Sequence, residues 1–544
     1  MEQGIASNGA GELAHAAICF ERALALDPGS IPALHGRAAM HHLAGENEDC
    51  VALCDEVLSR APEHINAIIT RAFALRGRGD LEAALAAFRR AVEIEPRSGL
   101  ISCIGGVLFQ QGRIDEALAE TDAALAVEPD ADVIHSNRLF ILNHDTRLTP
   151  QAVAEAHFAW GRAVEARKAS ARTAPEINAD PNRRLRIGYV SGDLRTHSVA
   201  FFLTPILEHH DRTRFEVTCY DNHPGPGDAV TARLKALTEH WVKVAQLDDA
   251  ALAQRIRDDR IDILVDLSGH TGGNRLPVFA MTPAPIAASW FGYMNTTGLS
   301  TIDYRISDAC LCPPEREHLY SERILRLPSA AAWSPAPNSP EPGPVPSLTR
   351  GHVRFGSFNN WTKISDQVID AWAEILRRVD SADLLVIAAG GDTDAGRAAV
   401  QGKFVARGIA RDRIAVEGTK PLGDFLALVA AVDIALDPFP YNGGTTTLHT
   451  LWMAVPVISL GSARETGRVA AGLLGSVGLA DLCADGVPAY VEAALGLSAD
   501  EPRRVVLRAE LRTRMRAGPS MNGGETAANL EKAYRAVWNN RLNQ

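Results

Sequence analysis

Residues 437–462 read DPFPYNGGTTTLHTLWMAVPVISLGS, and the order of local signals along this stretch decides the fold. The preceding apolar run IALD (434–437) is strand-like, and the Pro, Tyr, Asn and Gly residues after it mark a tight loop. Three threonines then open a helix-compatible segment that stops at a second apolar run, PVISL (456–460). Strand, glycine loop, helix and strand make one βαβ unit, which predicts a parallel sheet around it. Gly443 and Gly444 let a backbone approach a ligand closely, and the amides and hydroxyls of Thr445 and Thr446 at a helix start suit a phosphate. A capped turn needs a single Ser or Thr, so three threonines after two glycines exceed what capping requires.

The same alternation extends to both sides. Upstream lie RLRIGYVSGD (184–193), FEVTCYD (215–221), IDILVDLSG (261–269), AASWFGY (287–293) and YRISDA (304–309), separated by helix-like stretches. The run APNSPEPGPVPS (336–347), with five prolines, reads as a linker. Beyond it VRFGSFNN (353–360), DLLVIAAGG (383–391) and RIAVEG (413–418) lead back to the opening stretch. Two α/β halves joined by a hinge place a ligand cleft at the carboxyl ends of their strands. Lys363, in SFNNWTKISD, follows one such strand end and supplies a cation suited to a diphosphate. The last helix, AANLEKAYRAVWNNRL (527–542), is able to pack on either half.

Before residue 138 the period changes. Glycines fall at Gly11, Gly45, Gly79 and Gly112 and prolines at Pro28, Pro62, Pro96 and Pro129, each series stepping by 34, 34 and 33 residues. Small residues recur at fixed offsets: Ala16, Cys50, Ala84 and Ala117, then Ala23, Val57, Ala91 and Ala124. Between them a larger position holds Phe20, Cys54, Phe88 or Thr121. Glycine ends the first helix of each hairpin and proline the second. A 34-residue period of this kind resembles the tetratricopeptide (TPR) repeat, whose stacked hairpins present a concave groove for a polypeptide. Residues 138–183 stay helix-compatible without the register and carry His144, His157 and Trp160; the two histidines read as packing or solvent residues rather than ligands. The expected boundaries are 1–137 for the repeats and 138–183 for linker helices. The α/β halves follow at 184–350 and 351–517, with a terminal helix at 518–544.

Composition narrows the partners. A chain of 544 residues with 46% hydrophobic and 22% charged residues is globular and multidomain, and a net charge of −11 argues against nucleic acid. The opening MEQGIASNGAGELAHAA lacks a basic and apolar leader, and no run is apolar enough for a membrane span. The eight cysteines form no CxxC pair or zinc-type cluster and sit in apolar contexts, so we expect a reducing cytoplasm and no metal.

Five blocks, in order and behind the repeats, carry a family resemblance: RLRIGYVSGDLRTHSV, ILVDLSGHTGGNR, APIAASWFGYMNTTG, FGSFNNWTKI and DPFPYNGGTTTLHTLWMAVPV. Over about 184–540 the chain resembles the O-linked N-acetylglucosamine transferases and the related SPINDLY proteins, a GT-B family. The implied fold is an α + α/β chain, a TPR superhelix followed by a GT-B pair of Rossmann-like domains. The implied reaction is inverting, metal-independent transfer of N-acetylglucosamine from UDP-GlcNAc to Ser or Thr of a protein held by the repeats. By this resemblance His197 is the active-site histidine, a base or acceptor-positioning group. Lys363 stabilises the departing diphosphate, and Asn360 stands where the family often has Gln. Gly443, Gly444, Thr445 and Thr446 form the diphosphate loop, although some members carry His at the position of Gly444.

Several positions depart from the family pattern. His449 replaces an acidic residue at the ribose, and Phe425 replaces a histidine that stacks on the base. Met294-Asn295 replaces a proline turn at the sugar wall, and Lys420 is two residues out of register with a base-site lysine. His270 ends the DLSG strand and is expected to face the cleft. Two alternatives stand beside the main reading: a SPINDLY-like O-fucosyltransferase using GDP-fucose, and an inactive TPR scaffold that binds partners.

Overall fold

In the computed structural model, which describes residues 13–175, 177–178 and 180–543, the 34-residue step becomes a run of paired helices. They are α1 (Leu13–Leu26), α2 (Ile31–Ala44), α3 (Asn47–Arg60), α4 (Ile65–Arg78), α5 (Leu81–Ile94), α6 (Ser98–Gln110) and α7 (Ile114–Val127). Gly11 lies outside the described residues. After α8 (Asp132–Leu142) and α9 (Pro150–Lys168) come the strands β1 (Leu185–Ser191), β2 (Phe215–Asp221), β3 (His240–Lys243), β4 (Ile263–Asp266), β5 (Ile286–Ser289), β6 (Tyr304–Ser307) and β7 (Arg323–Arg326). Beyond the proline-rich run lie β8 (Arg354–Ser357), β9 (Asp383–Ile387), β10 (Ile414–Glu417), β11 (Ile434–Leu436), β12 (Val457–Leu460) and β13 (Cys483–Ala484). The chain forms two units: Met1–Ile134 with Asn360–Ala373 and Leu384–Lys420, and His135–Asn359 with Glu374–Asp383 and Pro421–Gln544.

In the first unit the repeated offsets are the core of the helical hairpins. Ala16, Cys50, Ala84 and Ala117 are each 0% exposed, and Phe20, Cys54, Phe88 and Thr121 are buried beside them. Gly45 and Gly79 end α2 and α4 in the left-handed conformation, with φ of 79° and 85°. The same unit holds the parallel pair β9 and β10 and the helix Asp394–Val405. Gly79 is more than a helix stop, because a Cβ there would stand 2.1 Å from the backbone nitrogen of Gly390 in the loop after β9. Gly45 has the same φ and nothing within 4 Å. Gly45→Val is therefore expected to cost about 1–2 kcal/mol from left-handed strain alone. Gly79→Val should add about 1–3 kcal/mol of overpacking, read as a lower urea midpoint of the helical signal. Equal losses in the two variants would refute the Gly79–Gly390 contact.

The second unit contains a seven-stranded sheet in the order β3-β2-β1-β4-β5-β6-β7, every pair parallel. It is the doubly wound order expected of a Rossmann-like half, with a strand reversal beside β1. Its core joins Ile187, Tyr189, Val217 and Val265 to Leu530, Tyr534 and Trp538 of the final helix, Gly523–Leu542. The terminal helix thus packs on the first half, fastened where His210 Nδ1 meets Glu531 Oε1 at 2.9 Å. The same unit holds the parallel ladder β8-β11-β12-β13 of the second half. The proline-rich linker is tied down by Arg508, which donates to the Gly343 carbonyl at 2.9 Å, and Arg512, which donates to that of Pro340 at 2.6 Å. Among the described residues no helix is long and apolar enough to cross a membrane.

Candidate active site

Strand β11 delivers Asp437, 1% exposed, to the start of the glycine loop. Its Oδ1 accepts the Gly443 amide at 2.8 Å and the Asn359 side-chain amide at 3.1 Å, and its Oδ2 accepts the Ser459 hydroxyl at 2.7 Å. A carboxylate that takes these donors is a firm anchor for the loop, because bonds to carboxylates are the stronger class. A Cβ on Gly443 would lie 2.5 Å from Thr447 Oγ1 and 2.9 Å from Asp437 Oδ1, so packing as well as ligand approach demands glycine. Gly444 then caps the helix Thr445–Trp452 without any side-chain cap bond. The first amides of that helix have no intrahelical acceptor, and the positive end of the dipole is there. Thr447 turns its hydroxyl back to the Gly443 carbonyl at 3.0 Å, whereas Thr445 and Thr446 stand half-buried at the helix start. The arrangement is suited to a phosphate.

One turn further along, His449 is 4% exposed inside a box of rings. Phe201, Trp333 and Phe425 meet it edge-on with centroids 5.0, 5.3 and 5.9 Å away. Its Nδ1 is buried without a hydrogen-bond partner, and burial lowers its pKa to about 4, so the ring is neutral. Phe201 lies in the helix Ser198–His209, whose N-cap is His197. The first-half helix that begins at His197 therefore touches the second-half helix that begins at Thr445.

His197 is half-buried. Its Nδ1 accepts a 3.3 Å bond from the Val199 amide and stands 3.7 Å from Asp193 Oδ2. Burial lowers its pKa, Asp193 opposes the shift and Arg195 adds to it. A neutral imidazole at a helix start is a competent proton acceptor.

His270 is built into the wall. Its Nε2 donates to the Thr297 carbonyl at 2.9 Å and its Nδ1 faces the Ser136 hydroxyl at 3.0 Å, so both ring nitrogens are engaged. The cleft-facing role expected from its strand-end position is replaced by one of joining α8 to the 290s loop. His157 and Trp160 pack edge-on against it, which makes His157 a packing residue and not a solvent-facing one. In the same loop the Tyr293 hydroxyl meets His157 Nε2 at 2.8 Å and the Asn143 side-chain amide at 2.6 Å, while Asn295 donates to Asn143 Oδ1 at 2.8 Å. Met294 sits half-buried between Tyr293 and Asn295. The turn between α8 and α9 also receives Arg464, which donates to the carbonyls of Asn143 at 3.2 Å and Asp145 at 2.8 Å, and His144 stacks on Tyr441 at 4.7 Å. Residues 143–148 therefore brace loops from both halves.

In the first unit Asn360 and Lys363 share one short 3-10 turn. Asn360 caps it, its Oδ1 accepting the Thr362 amide at 3.1 Å and its carbonyl the Lys363 amide at 3.0 Å. Trp361 of the same turn lines a cavity of about 430 Å³ together with Gly79, Leu81, Gln111 and Ala399. The Lys420 ammonium is held by Asp392 at 2.6 Å and Glu417 at 3.1 Å, and these bonds raise its pKa, Asp392 first. In this geometry Lys420 fastens two strand-end loops to each other.

Asp437, Asn359, Tyr293 and Arg464 escaped the reading of the sequence. Asp437 alone left a signal, a carboxylate ending a strand directly before a proline loop.

Comparison with known proteins shows the family. The model of glycosyl transferase family 41 matches residues 127–331 and 347–529. A relative from Solanum lycopersicum, described as a probable UDP-N-acetylglucosamine–peptide N-acetylglucosaminyltransferase SPINDLY, is 36% identical over 76% of this chain. The chain spans 45% of that relative's length. An Arabidopsis thaliana relative of the same printed activity, SEC, is 30% identical over 66% of this chain and 37% of its own length. Among solved structures, a mutant of the Thermobaculum terrenum O-GlcNAc transferase superposes with a TM-score of 0.87 and 36% identity, covering 94% of this chain and 98% of that one.

Proposed function

On the premise that the chain belongs to glycosyl transferase family 41, we propose that it moves N-acetylglucosamine from UDP-GlcNAc to Ser or Thr hydroxyls of proteins, with inversion and without a metal ion. The observation that carries this reading is the similarity, over 94% of the chain, to a solved O-GlcNAc transferase. In this reading Gly443, Gly444, Thr445 and Thr446 hold the diphosphate, and Lys363 neutralises charge that develops on it as the glycosidic bond breaks. His449 accepts a ribose hydroxyl, Phe425 stacks on the base, and Met294 forms part of the sugar wall. Asn360 and Lys420 complete the donor side. His197 takes the proton of the attacking hydroxyl. The helical repeats hold the acceptor polypeptide. Eight free cysteines support a reducing, cytoplasmic setting.

A second reading, fucose transfer from GDP-fucose, keeps the same fold and changes only the donor. Thermal shift separates the readings, because a ligand that binds only the folded state stabilises it by about 2.7 kcal/mol at a hundredfold excess over Kd. UDP and UDP-GlcNAc are expected to raise the melting temperature and GDP-fucose to leave it unchanged. The reverse pattern transfers the assignment to fucose, and no response to any nucleotide leaves a partner-binding scaffold.

A further inference from the structure

The turn from β1 to the helix Ser198–His209 carries a carboxylate that the reaction outlined above leaves without a task. Asp193 is 8% exposed and sits four residues before His197. Its two oxygens are divided between two partners: Oδ1 faces Arg195 Nη2 at 3.5 Å, and Oδ2 faces His197 Nδ1 at 3.7 Å. The turn itself is pinned. The Asp193 amide donates to Ser191 Oγ at 3.0 Å, the Leu194 carbonyl accepts the Thr231 hydroxyl at 2.9 Å, and the Thr196 amide donates to Asp228 Oδ2 at 2.8 Å. A buried carboxylate beside one nitrogen of a half-exposed imidazole decides which nitrogen carries the proton.

The neutral ring has one proton for two nitrogens. If Nδ1 is bare, as its 3.3 Å bond from the Val199 amide requires, Nε2 holds the proton and has no lone pair for a substrate. The other tautomer gives up the Val199 bond and turns an Nδ1 proton towards the Asp193 carboxylate, 3.7 Å away. A carboxylate oxygen is a stronger acceptor partner than a main-chain amide is a donor, and catalytic hydrogen bonds that are long without substrate tighten when it binds.

We propose that Asp193 is the positioning residue of His197, drawing the imidazole proton to Nδ1 and leaving Nε2 bare to receive the proton of the attacking hydroxyl. This rests on the assignment of His197 as the base. In the step, the hydroxyl oxygen bonds to the anomeric carbon and the bond from that carbon to the diphosphate breaks. The bonding pair leaves with the nucleotide, and the hydroxyl proton moves to Nε2. The imidazolium so formed lies against the Asp193 carboxylate. Arg195 on the same turn opposes that cation. The other charged groups around the turn are Asp228, which holds the Thr196 amide, and His223, which feels both Asp193 and Arg195.

The test uses the full chain, labelled with ¹⁵N-histidine and saturated with UDP, with His197→Gln identifying the resonances of His197. Nitrogen shifts are expected to show the proton on Nδ1 in the parent protein and on Nε2 in Asp193→Asn. Turnover of donor hydrolysis in Asp193→Asn should fall about tenfold to a hundredfold, the scale of lost outer-shell partners, with UDP affinity unchanged. The acid limb of its rate profile should move to lower pH, because removing a carboxylate beside the ring makes the imidazolium harder to form. Asp193→Glu, which keeps the charge, should return the limb towards its original place. A residue that only shaped the turn would lower the rate without moving the limb or the tautomer, and that result overturns the proposal. The same holds if the parent protein carries the proton on Nε2. Full turnover in His197→Gln would sink the base assignment itself, while the nitrogen shifts still decide, without any activity, whether Asp193 sets the tautomer.

Discussion

Lys363→Met is expected to lower the turnover of donor hydrolysis by about 10²-fold or more while leaving UDP affinity within a few-fold of the parent protein. The substitution keeps the length and the apolar stem and deletes only the charge. Its main chain is already occupied: the Lys363 amide closes the turn on the Asn360 carbonyl at 3.0 Å, and methionine preserves that bond. What is lost is the cation proposed for the departing diphosphate, whose negative charge grows as the glycosidic bond stretches. An interaction stronger in the transition state than in the ground state appears in kcat and not in binding. The amides and hydroxyls from Gly443 to Thr446 are expected to go on holding the phosphates. Hydrolysis is the right assay because it needs no acceptor. If both turnover and affinity fall a hundredfold, Lys363 contributes uniform binding, and if neither falls it has no role at the diphosphate.

The longest signals in the chain were the most legible. The 34-residue step became paired helices whose buried Ala16, Cys50, Ala84 and Ala117 are the residues its offsets picked out. Ten apolar runs became strands. Three further strands were not foreseen: β3 (HWVK), β7 (RILR) and β13 (CA) are short, and two of them carry charges. Such pieces become strands because a neighbour offers a free ladder, as β2 does for β3, and no local pattern records that. Site residues divide in the same way. The loop Gly443–Thr446 was readable because it carries its chemistry within four residues. His270 reads as cleft-facing in the sequence and is a wall residue in the structure, because its partners, Ser136 and Thr297, lie 134 and 27 residues away. The environment of His449 was equally hidden, since Phe201 and Trp333 reach it from the other half of the fold. The last helix reads as able to pack on either half, and only the packing of Tyr534 and Trp538 into the core of the first half decides between them.

Glu465→Ala is expected to destabilise the protein by about 3–5 kcal/mol, the cost of leaving an uncompensated buried charge. Arg305 on β6 and Glu465 in the loop after β12 have side chains only 2% exposed. They form a two-pronged pair, Nη2 to Oε1 at 2.6 Å and Nε to Oε2 at 3.1 Å. The Tyr320 hydroxyl adds a bond to Oε2 at 2.9 Å, and Arg305 Nη2 also donates to the Tyr293 carbonyl at 2.7 Å. Burial works against the guanidinium, but the Glu465 carboxylate outweighs it and raises the Arg305 pKa. Without Glu465 that cation keeps a single carbonyl partner among those described, in a site water does not reach. The double variant Arg305→Met/Glu465→Leu removes both charges and should recover most of the lost stability, since a buried pair is often no better than apolar residues of similar volume. Urea midpoints of the parent protein, both single variants and the double variant supply the full cycle. A loss under about 1 kcal/mol in Glu465→Ala would mean that solvent reaches the pair, contrary to its burial. The pair also bears on the site, because the carbonyl it holds belongs to Tyr293, one residue before Met294. Arg305→Met is therefore expected to alter donor hydrolysis beyond its effect on folding, and Glu465→Gln, which keeps the shape and one acceptor, to alter it less.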